Sequence, residues 1–160
     1  MSRAGTGPGT RGTEGEPHVR ARREQGEGPP PDGEGLRRGK LELVDEVLDP
    51  NFVCYDPNSE SGEVRGADTI TQEIEYFRNA VPYLTYTVED QVAEGDKVVT
   101  RYKASGTHQG EFFDVVPTGN RIEMSGIQID RFDENGRIVE EWPEYDLLGA
   151  MRQMGAVGES

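Results

Sequence analysis

One cysteine, Cys54, stands in 160 residues, so no intramolecular disulfide can form and a reducing compartment is expected. The two histidines, His18 and His108, lie too far from each other and from Cys54 to make a recognisable zinc motif. No apolar run approaches the length of a membrane span. The first residues include arginines but no apolar stretch of the kind a secretory signal needs. These absences predict a cytoplasmic protein with no bound metal and no membrane association. Aromatic residues are missing from positions 1–38, where Gly and Pro fill 14 of the 38 positions. Such a segment cannot bury enough apolar surface to offset its ordering entropy, so 1–38 reads as a disordered tail. Positive charge is scarce as well: after residue 40 there are 9 Lys or Arg against 25 Asp or Glu. An acidic surface repels a phosphate backbone, which argues against nucleic-acid binding by the folded part; solubility is its simplest use. Gly5-Thr6-Gly7-Pro8-Gly9 lacks the Lys-Ser/Thr ending and preceding strand of a phosphate loop.

What remains, residues 39–157, is enough chain for one domain with a modest core. Apolar residues at 41, 44 and 48 and at 43 and 47 predict a first helix, stopped at Asp49-Pro50. A short strand follows over 51–57. Ala67 to Ala80 predicts a second helix, with Asp68 as its cap and Ile70, Ile74 and Phe77 on one face. The period then changes to two. Strands are predicted over 83–93 and 97–108, joined by Glu94-Gly95-Asp96, and over 121–133 and 137–142, joined by Glu134-Asn135-Gly136. Pro143 is expected to break the ladder, and Leu147 to Met154 to form a closing helix. Helices followed by a long antiparallel meander predict an α+β fold with helices on one face of a curved sheet. A cavity between the two is where a small molecule would sit.

Several stretches, in order along the chain, carry a family resemblance: Gly95 to Tyr102, Gly106-Thr107-His108-Gln109-Gly110-Glu111-Phe112, Pro117-Thr118-Gly119-Asn120-Arg121, Ile129-Asp130-Arg131-Phe132 and Gly136 to Trp142. The set closes with Tyr145-Asp146-Leu147-Leu148-Gly149 and Arg152-Gln153-Met154-Gly155. Together with Gly39 to Pro57 and Val64-Arg65-Gly66 upstream, they resemble the SnoaL-like polyketide cyclase (ester cyclase) family. The resemblance implies a nuclear transport factor 2-like cone: a curved, mostly antiparallel sheet wrapped around helices, forming a homodimer or tetramer through its outer face. It also implies ring closure of aromatic polyketides by an intramolecular aldol reaction, with an acidic residue as acid and base and no cofactor. Two departures stand out. The helix that normally plugs the cone would fall on Glu24 to Gly33, a Gly/Pro-rich stretch that cannot be a helix interior. This points to a wrong start or a shifted reading frame for residues 1–38. The family often has His where Tyr55 stands.

The resemblance assigns the acid/base role to Asp146. A carboxyl group in an apolar pocket could remove the proton beside a carbonyl and return one to the new alkoxide. The same residue directly precedes Leu147-Leu148-Gly149 and reads equally as the N-cap of the last helix. His108, placed by the resemblance at the pocket mouth, could donate to a substrate carbonyl or enolate; otherwise it is a loop histidine beside turn-permitting glycines. Tyr55, Tyr102, Phe113 and Trp142 are the expected substrate-binding residues, each with a structural reading as strand, loop or core aromatic. Trp142 would share a face with Ile138, Glu140 and Glu144 if its strand is regular, and Glu140 reads mainly as solvent-facing.

The leading expectation is cofactor-independent acid/base catalysis on an apolar, carbonyl-bearing small molecule. A hydrolase, isomerase or dehydratase on the same cone is the alternative among enzymes, with Arg101, Arg131, Tyr102 and Tyr55 as the residues such chemistry would draw on. A non-catalytic binding or dimerisation module is the alternative from another class, since fold does not fix function.

Overall fold

The computed structural model describes residues 41–158. The predicted tail, 1–38, lies outside them. A 3₁₀ turn, Leu41–Leu43, leads into a single helical turn α1, Val44–Val47, which buries both of its valines. Strand β1, Leu48–Cys54, begins earlier than predicted and runs through Asp49-Pro50. Pro50 is tolerated because β1 pairs with β6 at Leu48 and then not again until Val53, with a register shift between them. On its other side β1 pairs with β2, Val64–Arg65, only at Val53 and Cys54. No ladder bond is therefore asked of the proline nitrogen.

Helix α2 spans Ala67–Ala80, as the periodicity predicts. Its N-cap is Gly66, at φ 85°, and not the expected Asp68, which lies in the first turn, where its charge still suits the helix dipole. Strands β3, Thr85–Glu94, β4, Lys97–Thr107, β5, Arg121–Phe132, and β6, Ile138–Tyr145, form the meander, and α3, Leu147–Gln153, closes the chain. The sheet order is β2-β1-β6-β5-β4-β3, antiparallel except for the parallel β1–β6 pair. A parallel pair needs a long connection between its strands, and here that connection is α2 plus four strands. Register shifts between Val88 and Asp90 and between Arg131 and Phe132 bend the ladder, as extra residues in one strand do.

Pro143 does not break β6, contrary to expectation: it sits opposite Gln128 in the ladder. Glu141 offers its carbonyl to Tyr55 N–H on the β1 side, and two residues on the backbone of Pro143 faces that same side. By then β1 has ended, so the missing N–H leaves nothing unpaired.

Three apolar clusters hold the domain. Val47, Leu48, Phe52 and Ile138 pack with Ile70 at the start of α2. Ala80 and Val81 at its end pack with Phe112, Ile122 and Met154. Tyr86, Tyr102 and Ala104 form the third on the sheet. They meet around a gap rather than merging into one solid core.

The long loop 108–120 reaches the end of α2 closely. Gln109 and Gly110 both donate backbone N–H groups to the Ala80 carbonyl. A methyl group on Gly110 would collide with the backbone carbonyl of Asn79, which cannot move without unwinding the helix end. Gly110→Ala is expected to lower stability by about 1–3 kcal/mol, the usual cost of overpacking. Urea denaturation followed by far-UV circular dichroism checks this.

Candidate functional site

The gap is a cavity of about 180 Å³ between α2 and the concave side of the sheet. Its walls are mainly apolar. Ile70, Ile74 and Phe77 come from one face of α2, and Phe52, Tyr102 and Ile138 come from the strands opposite. Tyr102 is stacked on Tyr86 with ring centroids 4.7 Å apart, which fixes both rings in the wall.

One end of the cavity is acidic. Asp56, Glu73 and Glu141 all line it. Asp56 is buried and accepts two hydrogen bonds, from the Asn58 N–H to Oδ1 (2.8 Å) and from the Tyr145 hydroxyl to Oδ2 (2.9 Å). Burial pushes the Glu73 carboxyl above the usual glutamate range, and the nearby charge of Asp56 adds to the rise. The Tyr145 phenol is pushed up by burial first and then by the charge of Asp56, so it stays a hydrogen-bond donor at neutral pH. Burial also drives the Cys54 thiol upward, reinforced by the surrounding acids, which leaves it neutral rather than a thiolate nucleophile. Behind this end, the Gln128 amide donates to both oxygens of Asp130 (2.7 and 2.9 Å) and to Glu141 (3.3 Å). Among the described residues no group of three or more His, Cys, Asp or Glu is arranged to hold a metal ion. No helix among them is long and apolar enough to cross a membrane.

Of Asp146, His108, Tyr55, Tyr102, Phe113 and Trp142, only Tyr102 lines the cavity. Asp146 is exposed and takes the alternative reading: it is the N-cap of α3, its Oδ1 accepting the Gly149 N–H at 2.8 Å. β6 explains this. Glu141, Pro143 and Tyr145 alternate toward the cavity, so the next residue turns away, and its backbone N–H bonds Ser125. His108 is fully buried but outside the cavity lining. Its Nδ1 sits 2.9 Å from the Thr118 hydroxyl, and its backbone bonds Gly119 and Asn120, so it ties the 108–120 loop together.

Trp142 pairs with Ile129 on the outer side of the sheet and stacks on Tyr55 at 5.5 Å; neither ring lines the cavity. The expected shared face of Trp142 and Ile138 is undone by the register shift beside Ile138, which turns Ile138 inward while Glu140 and Trp142 face out. Glu140 pairs there with Arg131 at 2.9 Å. The ring of Phe113 packs on Phe112, which in turn packs on the cavity-lining Phe77. Phe113 therefore stands behind the wall, not in it.

Local sequence does not single out Asp56 or Glu141, which line the cavity with Glu73. Glu73 carried a signal: with Ile70, Ile74 and Phe77 it completes the i, i+3, i+4, i+7 stripe, so a carboxyl group falls on the helix's buried face. Asp56, beside Pro57, stands where turn residues are common, and Glu141 is one of several acids on its strand, so neither carries a distinguishing local signal.

The cap role of Asp146 has a measurable consequence. Asp146→Ala is expected to destabilise the domain by about 0.5–2 kcal/mol in urea unfolding, whereas Asp146→Asn, which keeps a capping oxygen, stays near wild type.

A family model of SnoaL-like polyketide cyclases matches residues 34–154. Similar solved structures include TsrD from Streptomyces laurentii, at 30% identity and a TM-score of 0.70, covering 79% of this chain and 91% of that one. AclR from Streptomyces galilaeus, a proposed hydroxylase, is 31% identical with a TM-score of 0.68, covering 79% of this chain and 77% of its own. IdmH from Streptomyces antibioticus, a proposed polyketide cyclase, is 33% identical with a TM-score of 0.66 and covers 76% of this chain and 91% of its own. No curated protein matches the chain significantly. The match over most of the sequence, with the fold to go with it, makes the chain a member of the SnoaL-like polyketide cyclase family.

Proposed function

We propose that this protein carries out cofactor-independent acid/base chemistry on an apolar, carbonyl-bearing small molecule, of the kind that closes a ring by intramolecular aldol addition. The observation that supports this is the cavity itself: a mainly apolar hollow with carboxyl groups at one end, one of them raised by burial. Apolar walls select a greasy substrate, and a carboxyl group out of full contact with water can trade protons near neutral pH. With Asp146 exposed on a helix cap, the acid and base of this reading come from the cavity, and Tyr102 is the wall against which a planar substrate lies.

A bicyclic aryl ketone such as 2-acetonaphthone is a fair probe of this pocket. Wild type is expected to bind it with at least tenfold higher affinity than Ala104→Phe, which fills the cavity beside Tyr102, and an isotope-labelled NMR titration measures both. Equal affinity in the two proteins, or no binding to wild type, would count against a substrate site in the cavity.

The protein is further proposed to be a homodimer through the outer face of the sheet. Val92, Val99, Ile129 and Trp142 lie opposite one another across β3, β4, β5 and β6, an apolar row on the side that no helix among the described residues covers. Val92 is exposed, as is Ile127 beside the row. A second copy would bury both, since an isologous contact sets the same patch against itself. Light scattering should give twice the chain mass for wild type and the single mass for Ile129→Asp.

A further inference from the structure

We propose that Asp56 and Glu73 form a divided acid–base pair, Asp56 accepting the proton that leaves carbon and Glu73 donating one to the carbonyl oxygen. The inference deepens the acid/base reading above and rests on it.

The two groups line the same cavity from opposite sides, Asp56 just beyond the end of β1 and Glu73 from the middle of α2. Their surroundings prepare them for different states. Both oxygens of Asp56 already accept hydrogen bonds, from Asn58 N–H and the Tyr145 hydroxyl, the arrangement of an acceptor. Glu73 has burial and the Asp56 charge acting on it, and both favour its neutral form. Two carboxyl groups whose environments differ in this way divide into a base and an acid.

The other groups around the pair do not reverse the assignment. From β1 and β6 come Cys54, Glu141 and Tyr145, none a cation. Asp130 stands on β5 behind Gln128, and Tyr86 and Tyr102 stand on β3 and β4. Arg78 is the cation among the residues that line the cavity, and the charge of Asp56 acts on Glu73 to favour its neutral form.

The step balances without any further reagent. Asp56 takes the α-proton, the C–H electron pair becomes the enol double bond, and the carbonyl oxygen takes the proton of Glu73. The enol carbon then attacks the second carbonyl. The new alkoxide takes the proton held by Asp56, and the enol oxygen returns its own proton to Glu73 as the first carbonyl re-forms. Neither carboxyl group changes its net protonation over the cycle, so the pair alone suffices.

Enolisation can be read without the physiological substrate. In D₂O, 2-tetralone should exchange its α-protons in the presence of the protein faster than in buffer alone, measured by proton NMR. The rate should fall at high pH as Glu73 gives up its proton. Asp56→Asn and Glu73→Gln should each lower the exchange rate by about 10²-fold or more, the usual share of general acid–base catalysis. Tyr145→Phe should lose less.

Two further readouts need no catalysis. In carboxyl-¹³C-labelled protein, the resonance missing from Glu73→Gln should titrate above the ordinary glutamate range. Because the folded-state pKa of Glu73 is raised, the stability it favours is full below the unfolded value and is lost as pH rises through the folded one. Glu73→Gln should therefore raise Tm above that titration and leave it near wild type below it. A Glu73 that titrates like a free glutamate, or exchange that survives in Glu73→Gln with no falling limb at high pH, overturns the pair. If 2-tetralone binds while Glu73 titrates normally, the pair fails and the cavity remains a ligand site. If 2-tetralone does not bind although Glu73 titrates high, it is the acid/base function that is overturned.

Discussion

Everything at the site follows from α2 lying across the concave side of the sheet without filling it. The helix presents Ile70, Ile74 and Phe77 as an apolar stripe, but the side chains opposite belong to three separate clusters that do not close over the middle. A solid core would have left no room for a ligand and no reason for a carboxyl group on that stripe. The gap gives Glu73 somewhere to point, and it denies that carboxyl group full hydration. Desolvation without complete sequestration is the condition under which a glutamate becomes a useful acid.

The sheet contributes the other half through its irregularities. A register shift beside Ile138 resets the phase of β6, so Glu141, Pro143 and Tyr145 face inward and Trp142 faces out. Tyr145 then reaches Asp56 across the end of β1, and the tyrosine–aspartate contact positions the second carboxyl group. The same phase carries Asp146 away from the cavity into its capping position. One residue of slip in a strand exchanges its two faces, so which acidic residues of β6 face the cavity depends on a bulge and not on the residue type.

Buried polar groups at this end are held by each other. Gln128 bridges Asp130 and Glu141, and Cys54 lies against Glu141 at 3.9 Å. Such a network is costly unless its members are satisfied, and it keeps the carboxyl groups in fixed places. On the opposite face of the sheet, charged pairs such as Arg131–Glu140 are partly exposed and add little to stability, while the apolar row between them is the better candidate for contact with a second chain.

Local sequence determined the elements: the 3.6-residue period of α2, the alternation of β3, β4 and β5, the glycine-bearing hairpin turns and the glycine that ends α3 are all fixed by near neighbours. It also determined membership of the family, because the matching residues occur in order along most of the domain. Even Glu73 was legible in principle, as a charge on an apolar helix stripe. What only the tertiary structure decided was which side of each wall a residue faces. Pro50 and Pro143 sit inside strands because their neighbours end or shift there, and Trp142 faces out because of a bulge. Asp56 meets Tyr145 across 89 positions of chain. Those outcomes turn on register and on contacts between distant segments, which no local pattern encodes.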